Sequence, residues 1–504
     1  AADRCFSSEH LSGADKWCSI KYHTTNCLGQ IADSVCSYCH CLLAHKIMIN
    51  HRWPGIVLLT IALVQAQDQL ADPELEYPAY TPNATDLVLS RSKYIDQLQG
   101  FWLTQCIANW TGLITEMDKI EPPFYTDENW GGPDERNIWG NFILSSNNII
   151  EYYFVHNGET WAADDDTDIE YMYQHLLDVH NVSILTPEQI REGWLYHIYS
   201  NEDAPNNENF LWVSNETAYY LMQDGLLPPS TSEPDKNSNY EMIDAQLTTE
   251  IFGLFAPTRP DIALRMAHLP IRTTAKDNAE WAAEFYVVMY ALASYVDNEL
   301  NMKEKVFWLA EQARRRLPNG TPVAGMYDYI KAAYDANPDK NDWESTRDAV
   351  YERYQVGGGD SYVYNQSFDA GINFAASLVS LFYGEGDLPR TIRIGSLTGW
   401  DSDNPTATWG GLLGFMLGRK NVEWAFEQDD LAETYWISRT RRNFPDRTPE
   451  MAGEDTFPLM AKRGVYIIDR VVIEELGGGV DLENDVWYIP DHGGDFSPAK
   501  LLQK

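Results

Sequence analysis

Beyond residue 90, apolar positions recur at three- and four-residue spacing along most of the chain, as in helices that bury one face. The clearest stretch is 91–116, where Gly100, Thr104, Ala108 and Gly112 fall four residues apart. That spacing puts the small residues on one helix face, where a neighbouring helix can come close. The pattern predicts further helices over 165–180, 186–200, 241–255, 259–270, 302–316, 323–335, 342–354, 369–384, 405–418 and 428–440. Residues 280–294 (EWAAEFYVVMYALAS) are apolar nearly all round, as a core helix is. Residues 117–163, rich in Pro, Gly, Asn and Trp, read as loop with short helical pieces; the polar, Pro- and Asn-rich 201–240 reads as an excursion over the surface. Val465–Val472 fits either a helix ended by Gly477–Gly479 or a short strand. No repeat and no second core interrupt the series. The expectation is an all-α protein, a single large helical bundle.

Composition adds limits. A chain of 504 residues, 44% hydrophobic with 17 Trp and 29 Tyr, can bury a large core. Its formal charge of −38 argues against nucleic acid and against anionic membranes as partners. Residues 48–66 have the layout of a secretory signal peptide: Met48, a basic Arg52, the short apolar run Ile56–Val64, then Gln65-Ala66. The run is too short to anchor in a bilayer. Cleavage after Ala66 would make Gln67 the first mature residue of a domain spanning 67–504. Residues 1–47 then read as upstream, non-mature sequence, although they hold six of the seven cysteines and could alternatively form a zinc or disulfide module. The seventh, Cys106, has no partner for a disulfide within the mature part. Acceptor triplets at Asn83, Asn181, Asn215, Asn319 and Asn365 suit a secreted, N-glycosylated chain; another, at Asn109, lies in a helix expected to be buried.

Two acidic clusters more than two hundred residues apart carry the chemistry: Asp164-Asp165-Asp166-Thr167-Asp168, and Asp401-Ser402-Asp403-Asn404 between Gly399-Trp400 and the run Gly410-Gly411-Leu412-Leu413-Gly414. One or two acids at a helix start are ordinary capping. Four Asp in five positions exceed what capping uses, and a turn entering a helix at Asn404-Pro405 does not require both Asp401 and Asp403. Carboxylates this dense repel one another unless water screens them or a hard cation neutralises them. Both clusters adjoin buried helices, which favours the cation. Glu116, one turn beyond Gly112, is either another partner for that cation or a helix end meeting water.

These residues resemble the ADP-ribosylglycohydrolase family, crystallin-like members included. That family has an early helix with small residues every fourth position leading to a Glu, as in Gly100–Glu116; an acidic Asp-Asp-Thr segment, as in Asp165-Asp166-Thr167; and a Gly-Trp-Asp-x-Asp segment before a Gly-rich helix, as in Gly399–Asp403 and onward to Gly418. Ile251–Pro260 and Phe382–Asp387 also look like family segments, so the resemblance spans roughly residues 90–420. It implies the family's orthogonal helical bundle and a secreted, Mg2+-dependent hydrolase. Such an enzyme would cleave an N- or O-glycosidic bond to an ADP-ribosyl or related ribosyl group, on a small molecule or an ADP-ribosylated substrate. The resemblance further implies two magnesium ions, with manganese as a substitute, held by Asp164, Asp165, Asp166, Asp401, Asp403 and Asn404. Glu116, Asp165 and Asp166 would take the catalytic roles. The rival expectation is a crystallin-like structural, assembly or binding protein that keeps the fold with reduced turnover, which leaves self-assembly open. Four positions depart from the family pattern: Thr104-Gln105 replaces Gly-Asp, Asp164 replaces Thr and Asn404 replaces Thr.

Other motifs are weak. The chain has no GxSxG elbow, HExxH or Walker loop. Gly357–Gly359 reads as a turn, the histidines lack metal-ligand spacing, and Trp130, Trp161 and Trp400 are either packing or ring-stacking surfaces.

Overall fold

Ser90 opens the architecture: its extended backbone and its Oγ, which accepts from the N–H of Lys93, cap the 22-residue helix α1 (Arg91–Gly112). The second half of α1 carries no charged residue, as suits a helix inside the protein, and Phe101 through Asn109 are all buried. The computed structural model describes residues 70–144, 148–162, 165–205, 207–295, 299–437 and 440–491. The expected signal peptide and the cysteine-rich 1–47 lie outside them.

Around α1 follow α2 (Asp165–His180), α3 (Pro187–His197), α4 (Val213–Gln223), α5 (Asp244–Thr248), α6 (Ile251–Phe255), α7 (Pro260–Thr274) and α8 (Asn278–Ala293). Next come α9 (Met302–Arg314), α10 (Pro322–Ala336), α11 (Glu344–Val350), α12 (Ala370–Gly384), α13 (Leu388–Thr398), α14 (Asp403–Leu417), α15 (Arg419–Ala425) and α16 (Phe457–Glu474). The fold is all-α, as its pattern predicts. α12 is buried along its whole length, and α8 and α14 along nearly all of theirs; with α1 they form the core. Among the described residues no helix is long and apolar enough to cross a membrane.

A small antiparallel sheet closes one end. β1 (Leu87–Ser90) pairs with the late strand Val486–Ile489, which also pairs with Gly479–Asp481. The seam is held by a buried ion pair, Arg91 Nη2 to Asp469 Oδ2 at 2.6 Å, to which Tyr77 and Trp487 also donate.

α1 packs against α14 more extensively than any other pair of helices. A Cβ at Gly112 would sit under 3.0 Å from Asp403 Cα and Thr406 Oγ1; one at Gly410 would meet the Ala108 Cβ, and one at Gly414 the Thr104 side chain. The stripe Gly100–Gly112 does what its spacing predicts, and α14 answers it with glycines of its own.

Four expectations need correction. The helix expected over 428–440 is partly the strand Thr434–Trp436, paired with Glu454–Thr456, because Tyr435 alone of the three turns inward, where its hydroxyl meets Asp168. Residues 201–240 are not merely an excursion, since they contain α4 and bury Ser214, Asn215, Thr231, Ser232 and Asn237. The 241–255 helix breaks at Thr249 into α5 and α6. α13 went unforeseen, although Asp387 caps it through the Arg390 N–H and Pro389 stands in its first turn. The Val465–Val472 ambiguity resolves to helix.

The α1–α14 contact leaves no room for a larger side chain. Gly410→Val should lower stability by about 2–3 kcal/mol, the typical cost of overpacking a filled interface. Urea unfolding would register it as a lower midpoint at unchanged slope.

Candidate metal centre

α1 ends at Gly112, earlier than its periodicity suggests, because the chain turns there to meet the segment before α14. The Ser402 hydroxyl donates to the Gly112 carbonyl at 2.9 Å, and the Thr115 hydroxyl donates to the Ser396 carbonyl at 2.5 Å. Beyond, Met117 N–H donates to the Trp400 carbonyl and Trp400 N–H to the Lys119 carbonyl. These bonds lay the turn carrying Glu116 alongside Trp400–Asp403. Trp400 adopts a left-handed backbone (φ 58°), which its indole secures by donating to Gln355 at 2.7 Å. The next N–H, of Asp401, donates to Asn373 Oδ1 at 3.1 Å.

Carboxylates from both sides therefore meet. One oxygen each from Glu116, Asp401 and Asp403 lies within 4.8 Å of the other two, with both aspartates buried and Glu116 partly open. The first acidic cluster joins through Asn109, whose Nδ2 donates to Asp166 Oδ2 at 2.9 Å and Asp403 Oδ2 at 3.3 Å. Asp165, the first residue of α2, is near enough for its charge to act on Asp401. Burial first, then the charges of Glu116, Asp165 and Asp244, hold the Asp401 carboxyl well above the usual carboxylate range. Buried oxygens of like charge this close form a donor set for a hard divalent cation. The chemistry of the residues fits such an ion.

Each sequence-derived site residue can now be placed. Glu116, Asp401 and Asp403 converge, Asp166 is bonded to the same Asn109 as Asp403, and Asp165 stands beside them. Asn404 is buried in the first turn of α14, where its Oδ1 accepts a long hydrogen bond from Gln246 (3.5 Å). Asp164 lies outside the described residues. Asp168 belongs to a different network: it accepts from the Tyr435 hydroxyl at 2.8 Å and pairs with Arg441 at 3.7 Å.

Two residues escaped the sequence reading. Asn109 registered only as a buried glycosylation triplet; its signal was an amide on the small-residue ridge, two turns before Glu116. Asp244 gave none, standing alone in α5. There it accepts from the hydroxyl of Ser214 and the backbone N–H groups of Ser214 and Asn215, and burial raises it to about 6.

The tryptophans also sort themselves. Trp161 and Trp400 are fully buried and Trp130 packs against Tyr152, so none of these offers a free ring face. Trp139, 44% exposed, stacks between Trp212 (42% exposed) and Phe368 with centroids 6.2 and 6.1 Å away. Each hangs from a segment of the site: Ile138 N–H bonds to the Met117 carbonyl beside Glu116, Ile243 N–H bonds to the Phe368 carbonyl beside Asp244, and Trp212 precedes Ser214.

Asn83, Asn181, Asn319 and Asn365 are exposed. Asn215 is completely buried in α4 and has no space for a glycan, so it drops out of the expected acceptors; Asn109 is buried as anticipated.

No curated protein matches the chain. A solved structure titled "ADP-ribosylglycohydrolase-related protein complex" is similar over 75% of this chain and 99% of its own, at 14% identity and a TM-score of 0.43. A family model described as ADP-ribosylglycohydrolase matches residues 90–453, and the chain belongs to that family of hydrolases.

Proposed function

We propose that the protein is a secreted, divalent-metal-dependent glycohydrolase that cleaves an N- or O-glycosidic bond to an ADP-ribosyl or related ribosyl group. The observation that carries this reading is the meeting of Glu116, Asp401 and Asp403 oxygens within 4.8 Å, tied to Asp166 through Asn109. Magnesium suits an all-oxygen donor set, and manganese can replace it. Asp165, Asp166, Asp401 and Asp403 would hold two ions, with Asp164 and Asn404 completing the set. When bound, such ions supply Lewis acidity toward ribose hydroxyls and stabilise charge on the departing group.

The chain's own groups divide the remaining work. Glu116, the partly open member of the trio, can accept the proton of an attacking water. Asn109 holds Asp166 and Asp403 apart at fixed geometry by donating to both. Trp212, 42% exposed at the end of the stack that it forms with Trp139 and Phe368, offers its outer face to a planar or sugar ring.

Three outcomes test the reading. Mg2+ or Mn2+ should raise the melting temperature and EDTA should lower it, while Asp403→Ala should respond to neither and release no ADP-ribose from ADP-ribosylated arginine or serine peptides. A wild-type melting temperature indifferent to both additions sinks the metal reading. Trp212→Ala should raise KM several-fold, the loss of a stacking contact worth about 1 kcal/mol, with kcat and metal response unchanged. Expressed through a eukaryotic secretory route, the protein should carry glycans at Asn83, Asn181, Asn319 and Asn365 and none at Asn215, as peptide mass spectrometry after deglycosylation would read.

A further inference from the structure

A second polar layer lies behind the carboxylates, one helical turn away on every element that builds the site. Gln105 stands four residues before Asn109 on α1, Glu170 four after Asp166 on α2, and Thr408 four after Asn404 on α14. Glu250, at the head of α6, follows Gln246 of α5 by the same interval. Residues four apart on a helix share a face, so Gln105, Glu170 and Thr408 stack behind their partners in the site, and Glu250 joins them through its bond from Thr408.

The bonding repeats as well. In the site, Asn109 joins α1 to α2 and α14, while Gln246 joins α5 to α14. One turn back, Gln105 Nε2 donates to Glu170 Oε2 at 2.6 Å, the Ile251 N–H donates to Glu170 Oε1 at 2.8 Å, and Thr408 Oγ1 donates to Glu250 Oε1 at 3.0 Å. Ile251 directly follows Glu250, so the bond from its N–H brings the Glu170 carboxyl beside Glu250, near enough for the Glu250 charge to act on it. The Tyr290 hydroxyl of α8 extends the layer to the Thr408 carbonyl at 2.5 Å.

Both carboxyl groups are buried, 0% exposed at Glu170 and 1% at Glu250. The groups facing them are the Gln105 amide, the Thr408 hydroxyl and the phenols of Tyr286 and Tyr290, all neutral. Two carboxylates in such a place cannot both ionise, so the pair keeps a proton. Burial, followed by the Glu250 charge, keeps Glu170 well above its ordinary value; burial brings Glu250 to about 7.

We propose that Gln105, Glu170, Glu250 and Thr408 are positioning residues, a hydrogen-bonded layer whose carboxyl pair sets the spacing of α1, α2 and α14 and hence the convergence of Asp166 and Asp403. One of the readouts below rests on the divalent site proposed above; the other does not.

Glu250→Gln replaces the protonated carboxyl with an amide donor, whereas Glu250→Ala removes the bond to Thr408. In the metal-free wild type, the proton on Glu250 contributes stability that is complete below the ordinary Glu value of 4.5 and lost as pH rises through about 7, while Glu170 keeps its own. The wild-type melting temperature should therefore fall between roughly pH 5 and pH 8, and this part of the slope should vanish in Glu250→Gln. Mn2+ affinity at pH 7.5, read by the EPR signal of free Mn2+, should stay within about twofold of wild type in Glu250→Gln and drop about tenfold in Glu250→Ala, a loss of about 1.4 kcal/mol. Gln105→Ala, a milder change in case Glu250→Ala does not fold, should weaken Mn2+ severalfold. Wild-type Mn2+ affinity in folded Glu250→Ala or in Gln105→Ala would overturn the proposal, as would identical pH slopes in wild type and Glu250→Gln. A wild type that binds no Mn2+ would count against the metal centre alone, and the pH slopes would still decide the layer.

Discussion

The site depends on how closely two helices can approach. α1 and α14 touch along Gly100, Thr104, Ala108 and Gly112 on one side and Gly410 and Gly414 on the other, where added Cβ atoms would collide. At Gly112 a Cβ would fall against Asp403 and Thr406. One turn earlier the Asn109 amide reaches carboxylates carried by two other helices. Because protein interiors are close-packed, widening this contact by one methyl group would move the Asp403 carboxylate as a unit with its helix. The small-residue ridge is thus a distance constraint on the chemistry and a packing device at once.

The same region collects an unusual amount of buried acid, and each carboxyl group meets its desolvation differently. Asp469 has Arg91 and Asp168 has Arg441. Asp244 is surrounded by hydroxyl and backbone donors. Glu170 and Glu250 face neutral donors, and burial raises both. The strongest charges acting on Asp401 come from carboxylates, those of Glu116, Asp165 and Asp244. A buried charge without compensation costs several kcal/mol. A cluster whose neighbours are themselves acidic is stabilised most by a divalent ion, which removes the repulsion and the desolvation together. The acidic residues of this core thus divide by what neutralises them.

Periodicity carried most of the architecture. The ridge on α1, the core character of α8 and the two acidic clusters follow from side-chain type and spacing, quantities local to the chain. What spacing could not carry was set by distant partners. Glu116 sits on a turn because Ser402 and Trp400, nearly three hundred residues away, take up the bonds that would have continued α1. Residues 434–436 form a strand because Asp168 and Glu454–Thr456 lie next to them. Four aspartates at the head of α2 look equivalent in sequence; the fold turns Asp166 toward Asn109 and Asp168 toward Arg441. Asn215 satisfies a glycosylation triplet, yet its helix is folded inward by the demand of Asp244 for donors.

Gln105 shows how a departure from the family pattern can be read physically. The family's Gly-Asp becomes Thr104-Gln105 here, which from sequence alone suggests a weakened site. In the fold, Gln105 faces Glu170, whose carboxyl group already abuts Glu250. An aspartate at 105 would bring a third acid into a volume with room for one negative charge, and either an extra proton or an extra cation would have to follow. The amide instead supplies a donor at 2.6 Å and leaves the pair with a single proton to hold. Position 105 therefore answers to the acids at 170 and 250, one turn behind the candidate metal centre, and its identity is no measure of whether that centre turns over substrate.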